Sequence, residues 1–161
     1  MATYNGAQHL QSQILSILKQ LDAKDQLIIV DDHSTDNTVG IIRNFKDSRI
    51  QLKINPFNMG AALTFDRALH EAEGDLIFLS DQDDFWHDDK VSTLVDMFSS
   101  KNLDLIVHDA VVMCEGTVVH ASLFKMTDSD PGVIKNIISN TFTGCCMAFR
   151  REILCEILPI S

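Results

Sequence analysis

Aspartates gather at two places in this chain, and each gathering follows a short apolar run. Leu27-Ile28-Ile29-Val30 leads into Asp31-Asp32, and Leu76-Ile77-Phe78-Leu79-Ser80 leads into Asp81-Gln82-Asp83-Asp84. Short runs rich in β-branched residues read as buried parallel strands. In open α/β sheets ligands sit beyond the carboxyl ends of the strands. Asp31, Asp32, Asp81, Asp83 and Asp84 are thereby aimed at one sheet edge. Carboxylates that close repel and take up protons, and a divalent cation carrying a phosphate relieves the repulsion. In Asp81-Gln82-Asp83 the first and third side chains share a side of an extended backbone, so both reach one cation or one nucleotide. Mg²⁺ and Mn²⁺ prefer such oxygen donors and keep waters that a diphosphate can replace. The plainer reading, an acidic loop capping the next helix, is the usual one for a lone D-x-D triplet. It is outweighed by the preceding strand, the extra Asp84 and the nearby Trp86.

The segment Asp31-Asp32-His33-Ser34-Thr35-Asp36 reads in part as a strand-to-helix turn with Ser34 or Asp36 as cap. That leaves the adjacent pair Asp31-Asp32 costly unless one member has a ligand or cation partner. Asp31 is the member expected to accept hydrogen bonds from a base or ribose. The histidines carry less: His9, His70 and His87 read as surface residues, and His108 beside Asp109 reads as a structural hydrogen bond before a catalytic pair. No H-E-x-x-H run, glycine-rich P-loop or G-x-S-x-G elbow is present, which removes zinc-protease and serine-nucleophile chemistry. Cys114, Cys145, Cys146 and Cys155 lack Cys-x-x-Cys spacing, the adjacent Cys145 and Cys146 make an awkward disulfide pair, and all four read as reduced, buried thiols. The net charge of −10 shows no basic stripe and excludes an ordinary nucleic-acid binder. The apolar runs are too short to span a bilayer, so no transmembrane segment is expected. The expected location is cytoplasmic, with peripheral association at the inner face of the membrane left open.

The elements that must position these residues alternate in type. Met1 to Gly6 reads as a strand end entering a turn, and Gln8 to Leu21 as a helix with Leu10, Ile14, Ile17, Leu18 and Leu21 on one face. Leu27 to Val30 is a strand, a helical stripe runs through Val39, Ile41, Ile42 and Phe45, and Ile50 to Ile54 alternates as a half-exposed strand. Ala61 to Ala72 reads as a helix, Leu76 to Ser80 as a buried strand, and Asp88 to Phe98 as a helix. Leu103 to Met113 is a strand bent near His108-Asp109, turning at Glu115-Gly116 into a hairpin with Thr117 to His120. Thr127 to Gly132 reads as a loop, Val133 to Ser139 as a weak helix, Thr143 to Phe149 as a strand and Arg151 to Leu158 as a short helix. The order predicts an α/β fold, a mostly parallel sheet flanked by helices, in a single domain over residues 1–161. Only Met1-Ala2-Thr3-Tyr4 stands where a full first strand belongs, so the first strand is expected to be clipped.

Taken in order, these motifs resemble glycosyltransferase family 2, the inverting nucleotide-sugar transferases. Met1-Ala2-Thr3-Tyr4-Asn5-Gly6 resembles the family's first strand-end turn, and Val30-Asp31-Asp32-His33-Ser34-Thr35-Asp36-Asn37-Thr38 its D-D-x-S-x-D-x-T motif. Asn58-Met59-Gly60 resembles the N-x-G before the third helix, and the run from Gly74 to Trp86 is similar to G-D-x-I-x-x-x-D-Q-D-D-x-W. Thr143 to Phe149 resembles the T-G-x-x-x-x-F segment near the acceptor side. The D-Q-D-D-x-W variant looks most like bacterial rhamnosyltransferase-type members that build cell-surface polysaccharide. The resemblance implies a Rossmann-like nucleotide-diphospho-sugar transferase (GT-A) fold. It implies that Ala2, Thr3, Tyr4 and Asn5 line a base pocket and that Asp31 binds the base. It sets Asp81 and Gln82 against the ribose and diphosphate, has Asp83, with Asp81, hold Mg²⁺ or Mn²⁺, and leaves room for the acceptor at Gly144. It also implies a nucleotide-sugar donor and a saccharide or lipid-linked acceptor. The family's general base belongs to a motif expected beyond Ser161, so the chain is expected to be clipped at both ends and inactive alone. Glu152 and Glu156 read as a solvated helix face rather than that base. Two other readings are a non-catalytic nucleotide- or sugar-binding module and, less favoured, a phosphorelay receiver. The receiver needs a lone phosphoacceptor aspartate and a later strand-end lysine, and the latter is missing.

Overall fold

The computed structural model describes residues 1–114, 116–129 and 143–160. The first half is a parallel β-α-β succession. Strands β1 (Ala2–Thr3), β2 (Leu27–Asp31) and β3 (Ile50–Ile54) form a parallel sheet in that order, with Thr3 opposite Asp31 and Asp31 opposite Ile54. Helices α1 (Leu10–Leu18) and α2 (Thr38–Asn44) lie on one face. Alternation along β2 sends Leu27 and Ile29 into a core with Leu10, Ile14, Ile17 and Ile42. Helix α3 (Ala61–His70) packs on the other face, against β1 and β2.

The second half departs from the expected parallel order. Strands β4 (Leu76–Phe78) and β5 (Leu105–Val107) do not pair with each other. Between them lies β8 (Met147–Arg150), antiparallel to both, with Ala148 opposite Phe78 and Ile106. The strand pairing is therefore parallel in one half and antiparallel in the other. The physical reason is a returning strand: Ala148 and Phe149 supply the hydrogen-bond partners and the apolar faces that β4 and β5 lack. Ala148 packs with Leu94 and Phe98 of α4 (Lys90–Ser100), while Phe149 packs with Leu69 of α3 and Ile77. Successive side chains of β8 thus cover opposite faces, which places α3 and α4 on the two sides of the sheet.

Smaller differences follow from local chemistry. The expected strand from Leu103 to Met113 stops at Val107, and β6 (Val112–Cys114) pairs instead with β7 (Thr117–His120) as the predicted hairpin. Part of the expected loop from Thr127 is the end of a short helix α5 (Leu123–Thr127), capped by Ser122, whose Oγ accepts from the Lys125 amide. Thr143 to Phe149 is a 3-10 turn at Gly144–Cys146 before it becomes β8, and Arg151–Ile153 forms another 3-10 turn before α6 (Leu154–Ile157). The helix expected over Val133 to Ser139 lies outside the described residues. The expectation of four buried thiols is corrected: Cys146 is buried and Cys145 partly so, whereas Cys114 at the end of β6 and Cys155 on α6 are exposed, because both elements are short and lie at the surface. Among the described residues no helix is long and apolar enough to cross a membrane.

Candidate functional site

A cavity of about 460 Å³ opens where the carboxyl ends of β1, β2 and β4 meet. One wall is Ala2, Thr3 and Tyr4, the floor includes Asp32 and Gly60, and the opposite wall is Asp81, Gln82 and Asp83. The two aspartate segments, some fifty residues apart in the chain, thus face one space.

The β1 side is held by a mesh of hydrogen bonds between two loops. Asn5, at φ +48°, donates its amide to Ser34 Oγ (2.9 Å), and its side-chain oxygen accepts from the Thr35 amide (2.8 Å). The Gly6 amide donates to Thr38 Oγ1 (2.9 Å) and the Ala7 amide to Asp36 Oδ2 (3.1 Å). Asp36 therefore ties the loops together and also accepts from the Thr38 amide at the start of α2 (2.9 Å), whereas Asn37 occupies the cap position. Of the four residues expected at the base, Ala2, Thr3 and Tyr4 line the cavity, while Asn5 turns its side chain into the neighbouring loop.

Asp31 and Asp32 differ in placement. Asp31 is fully buried; it accepts from Thr3 Oγ1 (2.9 Å), Ser34 Oγ (2.6 Å) and the Ser34 amide (2.9 Å). Asp32 lines the cavity floor and accepts from Asn55 Nδ2 (2.7 Å) and the amides of Met59 (2.8 Å) and Gly60 (2.8 Å). Burial works to raise the Asp32 carboxyl, but those donors and Thr64 together hold it below the ordinary value. The expectation that the pair needs a ligand or cation is corrected: protein donors satisfy both carboxylates. Asp32 was expected at this sheet edge but was given no binding role, and Gly60 was not among the expected site residues. The N-x-G run was the available signal, because Gly60 sits at φ +86°, ψ 161°, a region open almost only to glycine, and from there it offers its N–H to Asp32.

On the opposite wall, Asp81 is half-buried and Asp83 exposed. Burial, then the charges of Asp84 and Asp83, push the Asp81 carboxyl up. Carboxylate oxygens of Asp81 and Asp84 and the Cys145 thiol lie within 4.8 Å of one another. The thiol is pushed up by its hydrogen bond with Cys146, by burial and by Asp84, so it stays protonated and the carboxylates are the anionic donors. Crowded oxygen donors that resist carrying their charges together fit a hard divalent cation. Trp86, buried against Phe78 with ring centroids 5.9 Å apart, anchors this loop. Lys90 Nζ lies 4.3 Å from the Trp86 ring and donates to the Cys145 carbonyl (3.1 Å). Gly144 opens the turn that carries Cys145 and is not among the residues lining the cavity. His108 Nδ1 lies 2.9 Å from the Asp109 carbonyl oxygen, and its buried Nε2 has no partner among the described residues.

Comparison with known proteins follows the same outline. The family model for Glycosyl transferase family 2 matches residues 1–158. The Escherichia coli protein WfgD, a UDP-Glc:alpha-D-GlcNAc-diphosphoundecaprenol beta-1,3-glucosyltransferase, is 33% identical over 145 residues, 90% of this chain and 56% of that protein. The dTDP-rhamnosyl transferase RfbG of Shigella flexneri is 37% identical over 110 residues, 63% of this chain and 38% of that protein. The chain spans about half the length of the curated relatives it matches. In fold it is similar to S. aureus TarS 1-349 in complex with UDP-GlcNAc (TM-score 0.76, 20% identity, 96% of this chain and 45% of that one). It is also similar to the Pyrobaculum calidifontis mannosyltransferase PcManGT in complex with GDP-Man and Mn²⁺ (TM-score 0.70, 21% identity, 98% and 45%).

Proposed function

The chain belongs to glycosyl transferase family 2, and from that premise we propose that it forms the donor-binding part of an inverting, metal-dependent transferase. The donor is a nucleotide-sugar and the acceptor a saccharide or lipid-linked saccharide of cell-surface polysaccharide. The observation that carries the reading is the meeting of Ala2, Thr3 and Tyr4 with Asp81, Gln82 and Asp83 around one cavity. The β1 wall takes the base. Asp31 acts from beneath it, through Thr3 and Ser34, rather than as a bare acceptor. Asp81 and Asp83, with Asp84 beside them, would hold Mg²⁺ or Mn²⁺. When bound, such a cation supplies Lewis acidity that stabilises the charge on a departing nucleoside diphosphate. The acceptor oxygen attacks the anomeric carbon from the face opposite the breaking bond to phosphate. Its proton goes to a base within hydrogen-bond reach, a role we assign to no residue between 1 and 161. Gly144 lies on the acceptor side of this arrangement. The work is set in the cytoplasm, with peripheral association at the inner membrane face. The diphosphoundecaprenol-linked acceptor in the name of WfgD supports that placement.

A thermal-shift panel of UDP, GDP and dTDP, each with and without Mn²⁺, tests the reading. The expected result is stabilisation by one nucleotide only in the presence of metal, abolished in Asp83→Asn. Stabilisation by nucleotide without metal dependence would favour a plain binding module, and none with any nucleotide would overturn the donor site.

A further inference from the structure

The two half-sheets meet at a seam. Among the described residues no backbone ladder joins β1 to β4; each belongs to its own sheet. On one side β1 pairs with β2, with the amides of Val30 and Asp32 donating to the carbonyls of Met1 and Thr3. Tyr4 directs its own amide and carbonyl to the other side, where a neighbouring strand would normally take them. Both are taken instead by one side chain: the Tyr4 amide donates to Gln82 Oε1 (2.9 Å), and Gln82 Nε2 donates to the Tyr4 carbonyl (3.1 Å). A primary amide offers the same donor and acceptor pair as a peptide unit, so Gln82 stands in the vacant ladder position. Behind the seam, fully buried Gln13 makes a second tie, its Nε2 donating to Ser80 Oγ (2.7 Å) and the Asp81 carbonyl (3.2 Å).

Gly6 is matched to this contact. A Cβ built at Gly6 would collide with the Gln82 amide: the three heavy atoms nearest it all belong to that side chain, with Oε1 closest and Cδ at 2.5 Å. The atom in its way is the end of a flexible side chain, so alanine at position 6 is accommodated by displacing the amide from Tyr4 rather than by moving the backbone.

We propose that Gln82 is a positioning residue which closes the seam between β1 and β4 through the Tyr4 peptide, with Gly6 kept bare to admit it. It acts on the donor by fixing the gap between the two cavity walls, not by offering its amide to ribose or diphosphate. That consequence rests on the function proposed above; the seam contact does not.

The test has two arms on the same chain. In the first, hydrogen exchange of the free protein is followed at the Tyr4 amide. Gln82→Ala and Gly6→Ala should each speed it about tenfold, the scale of one lost hydrogen bond, with β2 amides unchanged. Gln82→Glu, which keeps the acceptor but not the donor, should fall between. The double variant Gly6→Ala/Gln82→Ala should be no faster than either single one, because the amide that alanine displaces is already gone. Unchanged Tyr4 exchange in Gln82→Ala, or additive effects in the double variant, would overturn the proposal. In the second arm, the nucleotide and Mn²⁺ pair that stabilises the parent is titrated. Equal loss of affinity in both single variants, partly restored in Gln82→Glu, supports positioning. Loss in Gln82→Ala alone would show that the amide touches the ligand and overturn it. A parent chain that binds no nucleotide would count against the donor site, and the exchange arm would still decide the seam.

Discussion

Asp32 and Asp81 line one cavity and respond to acid in opposite senses. Asp32 is held below the ordinary carboxyl value despite its burial, because Asn55, Met59, Gly60 and Thr64 donate to it. A carboxyl lowered on folding contributes stability that is complete above its unfolded value near 4 and lost as pH falls through the folded one. Asp32→Asn should therefore cost about 1–3 kcal/mol at pH 7, and the gap from the parent should shrink on acidification below about pH 4. Urea denaturation at pH 7 and pH 3 measures this. Asp81 is raised, by burial and then by Asp84 and Asp83, so its ionised form is strained in the folded protein. That cost is present above its raised value and fades as pH falls through it. Asp81→Asn should raise the melting temperature of the free protein at pH 7, with the difference closing as the pH is lowered. It should also abolish metal-dependent stabilisation by nucleotide. A melting temperature lowered at pH 7 would contradict the charge crowding inferred at this loop.

At the scale of elements, the loop after β4 keeps its shape through Trp86. The indole is only 5% exposed, packs in the core shared by α1, β2 and Phe78, and lies under Lys90 Nζ, while its amide donates to Ser16 Oγ (3.0 Å). Trp86→Ala should destabilise by about 3–5 kcal/mol, read as a lower urea midpoint at unchanged slope. A loss below about 1 kcal/mol would mean that this ring carries little of the core. The elements also show how far sequence alone could lead. The parallel half was legible because each strand is followed by its own helix and both use local periodicity, as in Ile14, Ile17 and Leu18 before Leu27 and Ile29. The acidic loop was legible because residue type and strand-end position both pointed to it. The partners of Asp31 and Asp32 were not, apart from Ser34 in the same turn, since Thr3, Asn55, Met59 and Gly60 are brought in from other segments. The five-residue helix α5 is too short to show a period, and nothing in the run Met147 to Arg150 announces that it belongs between β4 and β5.

Across the whole molecule, order should be graded. Among the described residues three apolar clusters hold the two half-sheets, and none includes a residue of β6 or β7. All four residues of β7 are exposed, Val118 and Val119 by more than half. A two-stranded ribbon without a covered face has little stability of its own. Amide exchange followed by mass spectrometry should show peptides from 111 to 120 exchanging first and those of β2 last. Comparable protection in both would mean that the ribbon is held by contacts beyond the three clusters.

The placement of β8 also has a consequence for how the chain is made. A ribosome releases β1, β2 and β3 early, and each finds its neighbour within about thirty residues. The edges of β4 and β5 must wait until residues 147–150 have left the exit tunnel, more than forty residues after β5. During that interval the nascent protein carries a finished half beside two apolar strands with unsatisfied peptide groups. Such edges invite pairing with other chains, so translation speed across residues 108–150 becomes a determinant of yield.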